Sequence, residues 1–172
     1  MGRGSYVYTI VETELGWVAI AGPPEAGKLS AVKLPSPTRD EAMNALRAGI
    51  RGELIEYSDG LESIASQMRE YFAGRPVEFV FEPELGGLTE FQQMVLKVTM
   101  AVPYGVVVSY GRIAERVGNP RACRAVGRAL GRNPIPVAIP CHRVIASGGK
   151  LGGFSAGQGW KRTLLRLEGV RL

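Results

Sequence analysis

Ser109-Tyr110-Gly111-Arg112-Ile113-Ala114-Glu115-Arg116-Val117-Gly118-Asn119-Pro120-Arg121-Ala122-Cys123-Arg124-Ala125-Val126-Gly127-Arg128-Ala129-Leu130-Gly131-Arg132 reads as two short helices and the tight turn between them. Ser109 is a good cap for a helix over 110–117, which Gly118 terminates. Pro120 sits where a first-turn proline belongs, so a second helix opens there and ends at Gly131. Two short helices joined through Gly118-Asn119-Pro120 have helix-turn-helix form. Arg121, Arg124, Arg128 and Arg132 fall at i, i+3, i+7 and i+11 and share one helix face, while Ala122, Ala125, Val126, Ala129 and Leu130 cover the other. Arg112 and Arg116 add a basic pair on the preceding helix, and Glu115 is the one acid in residues 110–132. A solvated charged face normally mixes signs. Guanidinium groups bind phosphate in bidentate fashion and stack on bases, so this face points to DNA. The bland alternative is basic surface that binds nothing.

The next stretch carries the chemistry: Asn133-Pro134-Ile135-Pro136-Val137-Ala138-Ile139-Pro140-Cys141-His142-Arg143-Val144. Three prolines fix the backbone ahead of Cys141 and predict a stiff loop rather than a helix or a central strand. The chain's single histidine follows the cysteine directly. A free thiol is only a few per cent thiolate at neutral pH, so a nucleophilic cysteine needs a base or a positive field. His142 is the candidate base, directly or through a water, and Arg143 the candidate field. A histidine acting as base needs a carboxylate to hold its tautomer. The basic half offers Glu90, Glu115 and Glu168, and Glu168 is the choice. The alternative is a buried structural cysteine beside a surface histidine.

Outward from this region the texture changes. A helix is expected from Thr89, its cap, to Met100, with Phe91, Val95, Leu96 and Val98 as apolar contacts; Pro103-Tyr104-Gly105 breaks it. A last helix is expected over 157–167. Upstream, strands are predicted at 6–11, 17–20, 31–34, 54–57 and 77–81, with helices at 38–49 and 61–73, an α+β pattern. The boundary falls near Glu82-Pro83-Glu84-Leu85-Gly86-Gly87, dividing the chain into 1–84, a scaffold, and 85–172. Residues 1–84 carry eight Lys/Arg against thirteen Asp/Glu, net −5, and residues 85–172 thirteen against three, net +10. That split suggests an acidic front half joined to a polyanion-binding back half.

Composition excludes other classes. With 45% hydrophobic and 22% charged residues among 172, the chain is of ordinary globular type. No apolar run approaches the roughly 20 residues of a membrane span. Met1-Gly2-Arg3-Gly4-Ser5 leads into a strand-like stretch rather than a signal-peptide core, so a cytoplasmic location is expected. Two cysteines, Cys123 and Cys141, match no disulfide framework, and with one histidine they cannot close a zinc site without carboxylates. No metal or cofactor is expected. By itself Cys123 reads as a small packing residue on the basic helix.

Pro140-Cys141-His142-Arg143-Val144 resembles the active-site signature of the O6-alkylguanine-DNA alkyltransferases. The likeness extends through Ser109-Tyr110, Gly118-Asn119-Pro120, Arg124-Ala125-Val126-Gly127, Asn133-Pro134 and Leu167-Glu168-Gly169, about residues 88–169 in unbroken order. The resemblance implies a small ribonuclease H-like α/β domain followed by a winged helix-turn-helix-like, mostly helical domain for DNA binding and alkyl transfer. Cys141 is then the alkyl acceptor, His142 its base through a water, Glu168 the residue orienting His142, and Asn133 the brace of the loop. Tyr110 donates to the leaving guanine and helps turn the nucleotide outward; Arg124 takes the place of the extruded base. DNA contacts are implied for Ser109, Tyr110, Arg121, Ala122, Cys123, Arg124, Arg128 and Arg132. A guanine pocket is implied from Pro136, Val144, Ser147, Phe154, Ser155 and Ala156.

The implied activity is stoichiometric, irreversible transfer of an alkyl group from O6-alkylguanine, with O4-alkylthymine a second candidate, in flipped-out duplex DNA; a monomer is expected. Phe154 stands where many relatives carry tyrosine. Ala156 replaces a glycine common in some members, which is expected to narrow the pocket. The rivals are a winged-helix regulator with an incidental cysteine, a cysteine hydrolase or acyltransferase, and a non-catalytic damage sensor.

Overall fold

The computed structural model describes residues 4–57 and 59–171. Met1–Arg3, on which the expectation of no signal-peptide core partly rests, lie outside the described residues. The chain divides into two compact units, Met1–Glu84 and Leu85–Leu172. No helix among the described residues is long and apolar enough to cross a membrane.

In the first unit, β1 (Ser5–Thr13) and β2 (Gly16–Gly22) form an antiparallel hairpin, and β4 (Ala31–Ser36) continues it on the other side of β2. The chain then crosses through α1 (Arg39–Gly49) to β5 (Glu53–Glu56), which pairs parallel to β1, giving the sheet order β4-β2-β1-β5. Thr38 caps α1 as its sequence requires, its hydroxyl accepting from the Glu41 N–H. The helix packs Ala42, Met43 and Leu46 on Tyr8, Ala19, Ala21 and Ala31 of the sheet. Alternation along the strands leaves Val11, Val18 and Ile20 buried on the opposite face. Helix α2 (Glu62–Phe72) contacts β1 and buries Ile64, Ala65, Met68, Tyr71 and Phe72.

The strand expected at 77–81 is absent. The segment alternates between half-buried and exposed residues as read, but its backbone joins no ladder. Phe79 packs instead on Tyr71 of α2 (ring centroids 5.8 Å apart), and the Val80 N–H donates to the Gln67 side chain at 3.0 Å. Pairing begins only at β6 (Glu82–Pro83), which runs parallel to the short β3 (Lys28–Leu29).

The second unit is mostly helical. Helix α3 (Glu90–Met100) starts in a capping box: the Gln92 N–H donates to Thr89 Oγ1, and the Thr89 N–H donates to Gln92 Oε1. It packs on α4 (Tyr110–Arg116) and α5 (Cys123–Leu130), which also pack on each other. Two parallel two-residue strands, β7 (Val108–Ser109) and β8 (Val144–Ile145), bring the start of α4 beside the Cys141 segment. Helix α6 (Gln158–Leu167) closes the unit.

The basic helix is shorter than its sequence predicts. It begins at Cys123, because Asn119-Pro120-Arg121-Ala122 form a turn closed by the Ala122 N–H on the Asn119 carbonyl, 2.9 Å. Proline presets the second position of such a turn as readily as it opens a helix. Arg121 therefore precedes the helix and Arg132 follows it, leaving Arg124 and Arg128 as the helical pair.

Thr89→Ala removes one half of the capping box. It is expected to cost about 1 kcal/mol, read as a lower urea midpoint at unchanged slope.

Candidate active site

The segment before Cys141 is held by one side chain. Asn133 Oδ1 accepts from the Ile135 N–H at 3.0 Å, and its Nδ2 donates to the Ile139 carbonyl at 2.9 Å and to Cys141 Sγ at 3.1 Å. The Ile139 N–H returns to the Ile135 carbonyl at 2.9 Å. Inside this turn Val137 sits at φ 75°, the one described non-glycine residue with positive φ. A β-branched residue there costs on the order of 1–3 kcal/mol, held in place by the surrounding bonds. The expected loop ends at Pro140; Cys141–Arg143 form a single 3-10 turn.

That turn points two side chains at Glu168. His142 Nε2 lies 2.7 Å from Glu168 Oε1, and Arg143 donates from Nε to Oε2 and from Nη2 to Oε1, each at 2.9 Å. The Gly105 N–H also donates to Glu168 Oε2 at 3.0 Å, and Arg143 Nη1 donates to the Val102 carbonyl. Burial by itself would raise the Glu168 carboxyl; the hydrogen bonds and charges of His142 and Arg143 outweigh it and hold it at about 2. Burial lowers His142, against the pull of Glu168. A neutral imidazole donating from Nε2 to the carboxylate has Nδ1 as its basic nitrogen.

Arg143 is thus spent on Glu168 and is not the positive field expected at the thiol. That field comes from Lys161, which the sequence reading missed. It is fully buried on α6, with Nζ donating to the carbonyls of Val144 (2.6 Å) and Gly153 (3.2 Å) and lying 5.6 Å from the centre of the Tyr110 ring. Burial lowers its ammonium to about 8, while the Cys141 sulfur pulls the other way. Its position was readable: Lys161, Leu164, Leu165 and Glu168 recur at i, i+3, i+4 and i+7, the buried stripe of the helix.

Cys141 is 5% exposed and sits among the walls of a cavity of about 590 Å³. Burial pushes its thiol up, opposed by the Asn133 hydrogen bond and by Lys161.

Tyr110, Cys123, Arg124, Arg128, Ser147, Phe154 and Ser155 share the cavity walls with the cysteine. The Tyr110 hydroxyl donates to the Gly153 carbonyl at 3.1 Å. A Cβ on Gly152 (φ +71°) would meet the Tyr110 ring at 2.9 Å, so only glycine lets the loop approach so closely.

The remaining residues read from the sequence lie elsewhere. Ser109 caps α4, and Arg121 and Arg132 are exposed in the turns flanking α5, where half-buried Ala122 is the cap. Three of the six implied guanine-pocket residues are not in its lining. Val144 is buried, its backbone paired with Val108 in β8; Pro136 is committed to the Asn133 turn through its bridge to Ile139; Ala156 is exposed beyond Ser155. The narrowing expected from Ala156 is therefore not made there.

A buried thiol at an arginine-rimmed cavity, followed by a histidine bonded to a carboxylate, defines a cysteine-centred site beside a basic helix pair. Residues 90–170 match the family described as 6-O-methylguanine DNA methyltransferase, DNA binding domain. A methylated-DNA–protein-cysteine methyltransferase of Mycobacterium bovis is 51% identical over 105 residues, covering 61% of this chain and 63% of that protein, so the match spans less than two thirds of that relative. One from Mycolicibacterium paratuberculosis is 40% identical over 162 residues, 94% of this chain and 91% of its own. The solved O6-methylguanine methyltransferase of Mycobacterium tuberculosis superposes with a TM-score of 0.74 at 36% identity, covering 95% of this chain and 92% of that one, and the same protein has been solved in complex with DNA. The chain belongs to the methylated-DNA–protein-cysteine methyltransferase family.

Acid should unfold this site in a set order. A depressed His142 lets the unfolded chain bind a proton first, so stability declines as pH falls below about 6.5. The Glu168 contribution is complete above its unfolded value near 4.5 and is lost as pH falls toward about 2. Urea midpoints against pH should show both limbs in the native chain, and Glu168→Gln should lack the lower one.

Proposed function

We propose that this chain repairs alkylated DNA in one step, moving an alkyl group from O6 of guanine to Cys141. The observation that carries the reading is the Cys141 sulfur, fixed by Asn133 at an arginine-rimmed cavity with His142 and Glu168 behind it. The thiol passes its proton to His142 through a water as sulfur attacks the alkyl carbon; an S–C bond forms and the C–O6 bond breaks. Glu168 stabilises the imidazolium that results. Tyr110 protonates or hydrogen-bonds the departing guanine, lowering the barrier. Lys161 favours the developing thiolate and holds the Val144 and Gly153 carbonyls. Sulfur supplies the electron pair and guanine the leaving group, so no metal or cofactor enters. The thioether has nothing in the chain to cleave it, and each molecule acts once.

The alkyl carbon lies inside the stacked duplex, so the nucleotide must be flipped outward at a cost of a few kcal/mol. Arg124, exposed at the cavity rim, offsets part of that by entering the gap. Arg121, Arg128 and Arg132 serve phosphates, and Ser147, Phe154 and Ser155 receive the base. O4-alkylthymine is a second substrate of the same geometry. We read the first unit as a ribonuclease H-like scaffold, supported by its antiparallel β4-β2-β1 run with β5 parallel beyond a helix. We read the second as a winged helix-turn-helix-like domain for DNA binding and alkyl transfer, supported by the α4–α5 pair beside β7 and β8. The protein acts as a cytoplasmic monomer on double-stranded DNA.

Mixing with O6-methylguanine duplex should add one methyl at Cys141, at one equivalent and no more, by mass spectrometry. Turnover on an ester or peptide points to a hydrolase, and no adduct to a regulator. In the same assay Arg124→Ala should slow repair of duplex roughly ten- to a hundredfold while sparing reaction with free O6-benzylguanine; equal losses remove the base-flipping role.

Lys161→Met should move the thiol's titration to higher pH, read from iodoacetamide alkylation rates across pH. An unmoved titration leaves Lys161 only as a tie between two carbonyls.

A further inference from the structure

Residues 85–172 hold a second cavity, of about 1060 Å³, that no step of alkyl transfer uses. Lys150, Arg162, Arg166 and Arg171 line it, with Gln158 and Gly152 between them and no acid. All four cations are exposed. The unit's acids are committed elsewhere: Glu115 pairs with Arg112, Glu168 with His142 and Arg143, and Glu90 opens α3. Among the described residues no ion pair engages any of the four.

Arg162 and Arg166 stand one turn apart on the exposed flank of α6, beside the buried Leu165 that lines the cavity with them. Like charges at that spacing repel and weaken a helix. The helix dipole accounts for Arg166 in the last turn, but not for Arg162 in the middle. An anion from outside removes the repulsion, and the forked guanidinium suits phosphate. The wall of this cavity is also a wall of the reaction site: Ala146 lines both, and Gly152 on this side is followed by Gly153 on the other.

We propose that this cavity binds phosphate groups, held by Arg162 and Arg166 with Lys150 and Arg171 adding charge, and that they belong to the backbone of the DNA under repair. The segment between the cavities would then be gripped on one face by phosphate and on the other by the flipped base. The inference rests on the reading of this chain as a DNA-binding protein, not on the chemistry at Cys141.

The full chain carrying Arg162→Gln and Arg166→Gln tests it. The slope of log affinity against log salt for undamaged duplex should become shallower by about 1.8, two phosphate contacts at roughly 0.9 each. The rate with free O6-benzylguanine should not change, which certifies fold and site. Should the native chain fail to take the benzyl group, alkyl transfer falls while the slope still reports on this cavity. An unchanged slope, with calorimetric binding of inorganic phosphate present in the native chain and lost in the variant, keeps a phosphate site but overturns its assignment to the DNA backbone. Both measurements unchanged overturn the proposal. Self-association lost in the variant with both unchanged assigns the cavity to the acidic half of a second copy, and equally overturns it.

Discussion

A carboxylate that is 6% exposed, accepting from His142, Arg143 and the Gly105 N–H, is the constraint on which the rest of the second unit depends. A lone buried anion is costly, and removing one partner of a buried pair typically costs about 3–5 kcal/mol. Glu168, at the end of α6, avoids that cost only if two other segments converge on it: the 3-10 turn after Pro140 and the loop after α3. Their convergence sets the imidazole tautomer and fixes where Cys141 stands. The arrangement behind Cys141 and the tertiary structure are here one set of hydrogen bonds. The Tyr104 hydroxyl, donating to the Leu167 carbonyl at 3.0 Å, ties the same loop to the same helix end.

The positive residues of this unit divide by burial into two physical kinds. Arg143 and Lys161 are buried and aimed at fixed acceptors, and each has a structural as well as an electrostatic duty. Arg124 and Arg128 are exposed on α5 at the mouth of the cavity, where their charge acts outward. In a basic sequence these kinds look alike. Only the phase of each residue on its helix, and the carbonyls near its head group, separate them.

Where local chemistry decides an element, the sequence was sufficient. Thr38, Thr89 and Ser109 each cap the helix they announce, and the strands read at 6–11, 17–20, 31–34 and 54–57 lie within or across β1, β2, β4 and β5. The grouping of Cys141, His142, Glu168, Tyr110 and Asn133 was also legible, because family motifs keep order along the chain. What failed needed information from elsewhere in the fold. Val77–Phe81 alternates as a strand does, but alternation reports burial and not a pairing partner. Pro120 fits a turn and a first helical turn equally, and the Asn119 carbonyl settled it. Lys161 was passed over because a lysine on an amphipathic helix is normally at the surface, although its phase said otherwise.

Val137 gives the site its most unusual backbone, a branched side chain at φ 75° three residues before the proline that precedes the sulfur. Such a backbone persists only where its surroundings over-determine it, and here the Asn133 side chain and the Ile139 N–H on the Ile135 carbonyl supply that constraint. A substitution that frees this turn lets Val137 relax and carries the sulfur with it, so the placement of Cys141 is only as firm as the one amide that clasps the turn shut.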